Sequence, residues 1–450
     1  MKQFAEFELT TELRERFQLA LDNRDQDFIV QTLDEVNPAD ITALLSEFNA
    51  DESKYVLELL DKDTRAEIIR NLERDTRKVF LKVFEVPELV EFMNLLDSDD
   101  AADILNELPI KTSEEVIAGL EPLLRSQVID LLRYDEHVAG GLMAKELIRA
   151  RDHWTVVECI REIRKQAQDV VTKFYTVYVV DDADKLLGRV PLQSLILTDA
   201  RTLVKDIVED VQPVETYWED TEVAEHMKKY NLESVPVVNV QGILVGRITI
   251  DDVLDVVTEQ AEEDRQLMSG ITEDVEEDDT VWKNTRARLP WLVIGIVGGI
   301  ISARFMGLFE GQLAKVTAIS FFVPLIQATG GNVGIQSSSL VVQSLAHDHD
   351  EDGLIKRLAK VFSVAILNGL FLSALVLGVT LLVFSNQQLS FVVSISLFAV
   401  VIFASFVGTA TPLILNKLGF NPALASGPFI TTINDLLGLG VYFLTVSILL

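Results

Sequence analysis

The sequence predicts a multidomain membrane protein: an all-α helical array, a duplicated α/β module, an acidic amphipathic connecting helix and a bundle of five α-helical transmembrane segments. Three observations carry this expectation. The charge is confined to the first part of the chain, a segment of the middle part is repeated, and the last part is a succession of long apolar runs. Of the 450 residues, those before about 285 hold 64 acidic and 31 basic side chains, and those after hold 6 and 8. A chain of this length and uneven composition exceeds one ordinary domain.

The excess negative charge argues against nucleic acid as a partner, because phosphates would be repelled, and leaves solubility or cation binding as its purpose. The single cysteine, Cys159, excludes an intrachain disulfide and any paired-thiol metal site. The stretch from Met1 to Glu15 is acidic and has no basic start followed by an apolar run, so it does not read as an export signal.

Residues 1–137 form the first expected domain. From about residue 8 the apolar positions recur at helical spacing, and three related units follow one another: LDEVNPADITALLSEF (33–48), LDKDTRAEIIRNLE (60–73) and LDSDDAADILNELP (96–109). Each places Asp, Asn or Ser ahead of an apolar run, as a helix N-cap requires. The expectation is an array of short helix pairs.

The middle of the chain repeats itself. Residues 175–196 align with residues 233–254 without a gap at an offset of 58, setting Val177 on Val235, Gly188 on Gly246 and Arg189 on Arg247. Each copy reads as strand, turn, strand and helix, with a further helix ahead of it (156–168 and 221–230). The pattern resembles tandem CBS (cystathionine β-synthase) domains, here 138–200 and 201–258. That resemblance implies ligand sensing, often of adenine nucleotides. In the family a Thr-x-x-Asp run holds a ribose, which the second copy matches with Thr249 and Asp252; the first copy has Pro191-Leu192-Gln193-Ser194 instead.

Residues 259–285 continue as an acidic run expected to be a connecting helix. Beyond it come five stretches of the length that crosses about 30 Å of hydrocarbon, near 289–309, 316–345, 358–384, 390–415 and 423–449. Pro324 and Gly330-Gly331 predict a kink or unwound turn in the second. Arg286, Arg288, Lys356, Arg357, Lys360 and Lys417 fall at one set of ends and Arg304 and Lys315 at the other, which predicts the N-terminus in the cytosol and the C-terminus outside.

Ionisable residues are nearly absent from these spans, yet Asp435 lies in the middle of the last. A carboxylate at mid-bilayer costs about 2.5–3.5 kcal/mol on the mildest scales and needs a cation, water or a partner. Thr431, Thr432 and Asn434 add oxygen atoms beside it, and Gly427-Pro428 is expected to free backbone carbonyls two turns earlier. Oxygen-only ligands suit hard cations, and Mg²⁺ above all, since it is held by one or two carboxylates through retained waters. One Asp per chain is too few for a dehydrated ion, so a two-fold dimer with paired Asp435 is expected. The run His347-Asp348-His349-Asp350-Glu351-Asp352 is a second, weaker metal candidate, ordinarily explained as a polar loop. A secondary transporter is the alternative class, but it should show inverted repeats and a second membrane carboxylate. No phosphate loop, nucleophile elbow or His/Cys cluster suggests an enzyme.

The whole order of parts resembles the MgtE-type magnesium transporters. The motifs that carry the resemblance are Tyr134-(x)4-Ala139-Gly140-Gly141-Leu142-Met143, Arg288-Leu289-Pro290-Trp291-Leu292, Pro324-(x)4-Thr329-Gly330-Gly331-Asn332-(x)3-Gln336-Ser337, and Pro422-Ala423-(x)2-Ser426-Gly427-Pro428-Phe429-(x)-Thr431-Thr432-(x)2-Asp435. The resemblance implies a homodimer in a bacterial inner membrane, embedded in lipid. It implies a Mg²⁺ pore at Asp435 lined also by Gly427, Thr431, Asn434 and Asn332. Cytosolic Mg²⁺ sensors would be Asp99, Asp103, Asp252, Asp255, Glu263 and Asp264, with 259–285 as the connecting (plug) helix. ATP is the regulatory ligand the CBS resemblance suggests. Asn231, Gln260 and Asn421 stand where the family pattern leads one to expect acidic residues.

Overall fold

In the computed structural model the described residues are 7–166, 174, 176–273, 275, 280–345, 354–384, 386–425 and 427–449. They fall into two compact units, Met1–Val257 and Thr258–Leu450. The run His347–Asp352 lies outside the described residues, as does Ser426.

The first unit begins with the helical array. Its helices are short because each is stopped by the next cap: Thr10, Asp25, Asn37 and Asp61 each accept a hydrogen bond from a backbone amide in the first turn that follows. Asn49 and Glu52 form a reciprocal capping box. Alternate helices pack on one another, Pro38–Leu45 on Lys62–Asn71, then Val86–Met93, then Ile110–Gly119. Their apolar faces share one core that includes Phe17, Ile41, Ile68, Leu89, Ile104 and Val128. A bidentate ion pair is sealed into this array: Arg77 Nη2 lies 2.7 Å and Nε 3.0 Å from the two carboxylate oxygens of Glu107, whose side chain is 1% exposed.

Two three-stranded sheets follow. In the first, β1 (Arg149–Arg151) runs parallel to β2 (Thr176–Val180), and β2 antiparallel to β3 (Leu186–Pro191). In the second, β4 (Val214–Glu215), β5 (Ser234–Val238) and β6 (Leu244–Thr249) repeat that order. The repeat is kept down to its irregularities, since the bulge at Val179/Val180 recurs at Val237/Val238. The segment leading into each copy pairs with the last strand of the other. Ala144 exchanges two backbone hydrogen bonds with Arg247 (2.8 and 2.9 Å), and Glu209 exchanges two with Arg189 (2.8 and 3.0 Å). This exchange ties the two copies into one module, with Tyr178 Oη and Ser234 Oγ 2.7 Å apart between them.

In the second unit five helices are long and apolar enough to cross a membrane: Val281–Gly307, Thr317–Leu345, Ala359–Val383, Gln387–Lys417 and Pro422–Leu449. The first begins at Val281, eight residues before its expected start, behind Thr280, whose hydroxyl accepts the amide of Lys283. The expected irregularity of the second span lies before Pro324. A 3₁₀ turn, Thr317–Phe322, gives way to an α-helix that runs from Val323 straight through Gly330-Gly331. Pro324 is thus in the first helical turn, where its missing N–H costs nothing.

The second, fourth and fifth spans pack mutually, the first leans on the fifth and the third on the fourth. Small residues set the central crossing, with a Cβ built on Gly408 falling only 2.5 Å from Gly334 O. Polar side chains in the bundle bond to backbone, Ser338 Oγ to Ala425 O at 2.9 Å and Tyr442 Oη to Ile319 O at 2.9 Å, as a medium without water demands.

Candidate functional site

Two groups of residues deserve description, one in each unit. In the second unit Asp435 sits on the helix Gly427–Leu449, half-buried, against the second span. A Cβ built on Gly331 falls 3.7 Å from Asp435 Oδ1 and 3.3 Å from Thr431 Cγ2, so both side chains meet the second span where it has no side chain of its own. The hydroxyl of Thr431 donates to Gly427 O at 2.9 Å and that of Thr432 to Pro428 O at 2.8 Å. The carbonyls expected to be free are therefore taken by these hydroxyls. What the hydroxyls retain is oxygen lone pairs, which suits a hydrated cation.

Asn434 is turned the other way. It is 1% exposed and packs on Gly334, where a built Cβ would lie 1.8 Å from its Nδ2. Asn332 is exposed on the second span. Gly427 is the first residue of the last helix, at φ +54°.

Gly427 also marks where the connecting helix ends. That helix, Ile250–Ser269, continues directly from β6. Its last residues pack on the start of the fifth span: a Cβ on Gly427 would lie 2.2 Å from Met268 O, and one on Gly270 2.6 Å from Pro428 Cγ. Asn421 Nδ2 donates to Asp264 Oδ1 at 2.8 Å, so the amide found in place of an acid gives that carboxylate a hydrogen-bond donor. Glu263 and Gln260 are exposed. The helix ends at Ser269, and Gln266 then bonds the backbone of Val275; it is shorter than the expected 259–285.

In the first unit the helix Ser98–Glu107 points its N-terminus at the sheet module. Ser98 Oγ donates to Glu146 Oε2 at 2.7 Å and accepts the amide of Lys145 at 3.0 Å. Around this joint Asp97, Asp99 and Asp100 come together with Asp252. Burial first, and then the Asp252 charge, hold Asp99 well above the ordinary carboxylate range. Burial pushes Asp100 up to about 7 against the pull of Arg70. It pushes Asp252 up to about 6, although Asp252 accepts both the hydroxyl (2.6 Å) and the amide (3.0 Å) of Thr249.

At the margin, burial pushes Asp103 up to about 7 against the pull of Arg77 and Arg74, and burial together with the charge of Asp251 raises Asp255 against Arg77 and Arg70. Asn231 takes a left-handed conformation (φ 51°) as the C-cap of Asp220–Tyr230, a role an amide side chain tolerates well. Among the described residues no three carboxylates, imidazoles or thiols converge as a ready ligand set. Sequence reasoning missed Asp100, Glu146 and Arg70. Three acids in four residues at Asp97–Asp100 were the available signal for the first, and nothing local marked the other two.

Both units have counterparts in known proteins. Residues 323–445 match a family model described as a divalent cation transporter (MgtE), residues 36–137 the MgtE intracellular N domain, and residues 204–259 the CBS domain. The chain is 38% identical over 339 residues to the magnesium transporter MgtE of Thermus thermophilus, covering 74% of each chain. It is 32% identical over 315 residues to that of Bacillus subtilis, covering 70% of each. Among solved structures, the cytosolic domain of the Mg²⁺ channel MgtE in complex with ATP superposes with a TM-score of 0.51 at 36% identity, over 54% of this chain and 99% of that one. The soluble part of a magnesium transporter does so with a TM-score of 0.50 at 24% identity, over 56% and 98%, and shares the fold.

Proposed function

Because the chain belongs to the MgtE family of magnesium transporters, we propose that it admits Mg²⁺ to the cytosol along a path lined by Asp435 and closed by cytosolic Mg²⁺. The observation that carries the pore assignment is Asp435 lying against Gly331 with the Thr431 hydroxyl oxygen beside it. A lone carboxylate with neutral oxygens fits an ion that keeps its water shell. Two copies related by a two-fold axis would set two such carboxylates on one path, with the N-terminus inside and the C-terminus outside.

Gating follows from the acidic joint. Ionised carboxylates on facing surfaces repel by about 4 kcal/mol per pair at 4 Å and an effective dielectric of 20, so Asp99 and Asp100 against Asp252 separate unless cations or protons neutralise them. Asp103 and Asp255, and Glu263 and Asp264 further along, would supply outlying sites. The helix Ile250–Ser269 carries Asp252 at one end and abuts the start of the pore helix at the other. Separation at the joint would thereby move Met268 away from Gly427, a two-state switch biased by occupancy.

A ribose at Thr249 and Asp252 would compete for a carboxylate that already accepts the hydroxyl and the amide of Thr249.

Flux of Mg²⁺ into proteoliposomes tests the reading. Flux should vanish in Asp435→Ala, fall at millimolar Mg²⁺ on the cytosolic side, and lose that inhibition when residues 1–260 are removed. Flux that persists in Asp435→Ala sinks the pore assignment. A requirement for a proton or sodium gradient points to an ion-coupled transporter instead.

A further inference from the structure

Asn434 occupies a place that does not satisfy its chemistry. Its neighbour Asp435 meets the second span at Gly331, whereas Asn434, 1% exposed, fills the hollow at Gly334. Both ends of its amide, Nδ2 and Oδ1, are buried with no hydrogen-bond partner among the described residues. Other polar side chains of the bundle find partners: Ser338 Oγ donates to Ala425 O and Thr431 Oγ1 to Gly427 O, each at 2.9 Å, and Ser337 Oγ lies 3.1 Å from Ser405 Oγ. An unpaired amide in an apolar interior destabilises the arrangement that contains it. An otherwise similar arrangement that pairs the amide is therefore favoured over this one.

An acceptor borders the same hollow. Gly408 of the fourth span also lies against Gly334, a Cβ built on it falling 3.0 Å from Gly334 Cα. Four residues on, Pro412 is buried inside the helix Gln387–Lys417. Proline has no N–H to give the carbonyl of Gly408, and its ring pushes that carbonyl off the helical path. The hydroxyls on either side do not replace the lost donor, since Thr409 Oγ1 bonds Ser405 O and Thr411 Oγ1 bonds Val407 O, each at 2.8 Å. In a membrane a carbonyl freed by proline is satisfied by a neighbouring helix. The fifth span is such a neighbour, and it brings Asn434 to the same glycine.

We propose that Asn434 is a positioning residue for the pore, unpaired in the hollow while Met268 abuts Gly427 and donating to Gly408 O when the fifth span leaves the connecting helix. The Asn434–Gly408 hydrogen bond then stabilises the conducting arrangement. Because Asp435 is the next residue on the same helix, the bond also fixes how that carboxylate is presented to the path. Cytosolic Mg²⁺ closes the path against this bond, so the proposal rests on the gating reading and adds the element that opposes it.

The test uses the full chain in proteoliposomes. Asn434→Leu keeps the branched shape and removes the amide, and Pro412→Ala returns an N–H to Gly408 O. Each should lower the cytosolic Mg²⁺ concentration that halves flux about fivefold or more, and the double variant should lower it no further than the stronger single one. A merely structural role would reduce yield and maximal flux without that shift, and independent effects would multiply; either result overturns the proposal. Native flux that ignores cytosolic Mg²⁺ overturns the gating reading and this proposal with it, whereas native inhibition with no shift in the variants overturns this proposal alone. Should the variants fail to fold, density maps of the native chain in lipid nanodiscs, with Mg²⁺ chelated and with Mg²⁺ saturating, decide instead. Asn434 Nδ2 should lie within hydrogen-bond distance of Gly408 O only in the chelated state. The same distance in both states, or a buried water bonded to Asn434 in both, counts against it.

Discussion

Single residues in this protein are placed by what their neighbours lack. Asp435 can face the second span because Gly331 presents no side chain there, and Asn434 is buried because Gly334 leaves a hollow for it. The hollow and the crossing are coupled, since Gly408 lies on Gly334 O. Gly408→Val should therefore force the second and fourth spans apart and lower the yield of folded protein in the membrane, as measured by gel filtration in detergent. An unchanged elution profile would show that the crossing can relax. In the array, Glu107→Ala leaves the Arg77 guanidinium buried without its bidentate partner, a loss on the order of 3–5 kcal/mol. Chemical denaturation should show it as an earlier transition of the first unit. Asn421→Asp has a sharper signature. It replaces the amide donor to Asp264 with a second carboxylate, so closing should become more dependent on Mg²⁺, with flux at low Mg²⁺ raised. If the Mg²⁺ dependence of flux is unaltered, the Asn421–Asp264 hydrogen bond plays no part in closing.

Among the elements, the helix Ile250–Ser269 carries four of the candidate sensor residues, Asp252, Asp255, Glu263 and Asp264. It starts as the closing helix of the second α/β copy, carries Asp252 in its first turn and ends at Gly270 (φ +80°) against Pro428. Gly427 tolerates φ +54° and the approach of Met268 O because it has no Cβ. Gly427→Ala introduces both a left-handed alanine and a steric clash. It should loosen the end of the helix from the fifth span and weaken inhibition of flux by cytosolic Mg²⁺ while leaving Asp435 in place. Inhibition as strong as in the native protein would show that this contact does not hold the gate.

For the whole molecule, the acidic joint makes stability depend on pH and, on the proposed gating, on Mg²⁺. Asp100 and Asp252, raised from 3.8 to about 7 and about 6 by burial, bind protons in the docked state that the separated state releases. A carboxyl with a raised folded pKa contributes stability that is fully present below its unfolded value and is lost as pH rises through its folded one. The loss thus spans the interval from about pH 4 to about pH 7. These groups are half-buried, so the effect after solvent screening is on the order of 1–2 kcal/mol. Without Mg²⁺ the cytosolic thermal transition should move up on acidification from about pH 8 to about pH 5.5, and saturating Mg²⁺ should flatten that dependence. A transition that falls on acidification would mean the carboxylates are already compensated in the docked state.

Periodicity and repetition, which are local properties, were enough to read the array, the duplicated module and the five apolar spans. The offset of 58 set one copy on the other, and the two sheets repeat the same strand order and bulge. Asp435 stood out because charge in hydrocarbon is costly at any packing. What local pattern could not reveal is which way a side chain turns and what comes to meet it. Asn434 has the same sequence warrant as Thr431, yet only the hollow at Gly334 decides that it is buried. The glycines of the second span predicted a kink, but they serve close packing, and the irregularity falls before Pro324. Asp100 and Glu146 join the acidic joint from stretches distant in sequence. Their charges acquire meaning from burial and from one another, and burial is a property of the folded chain alone.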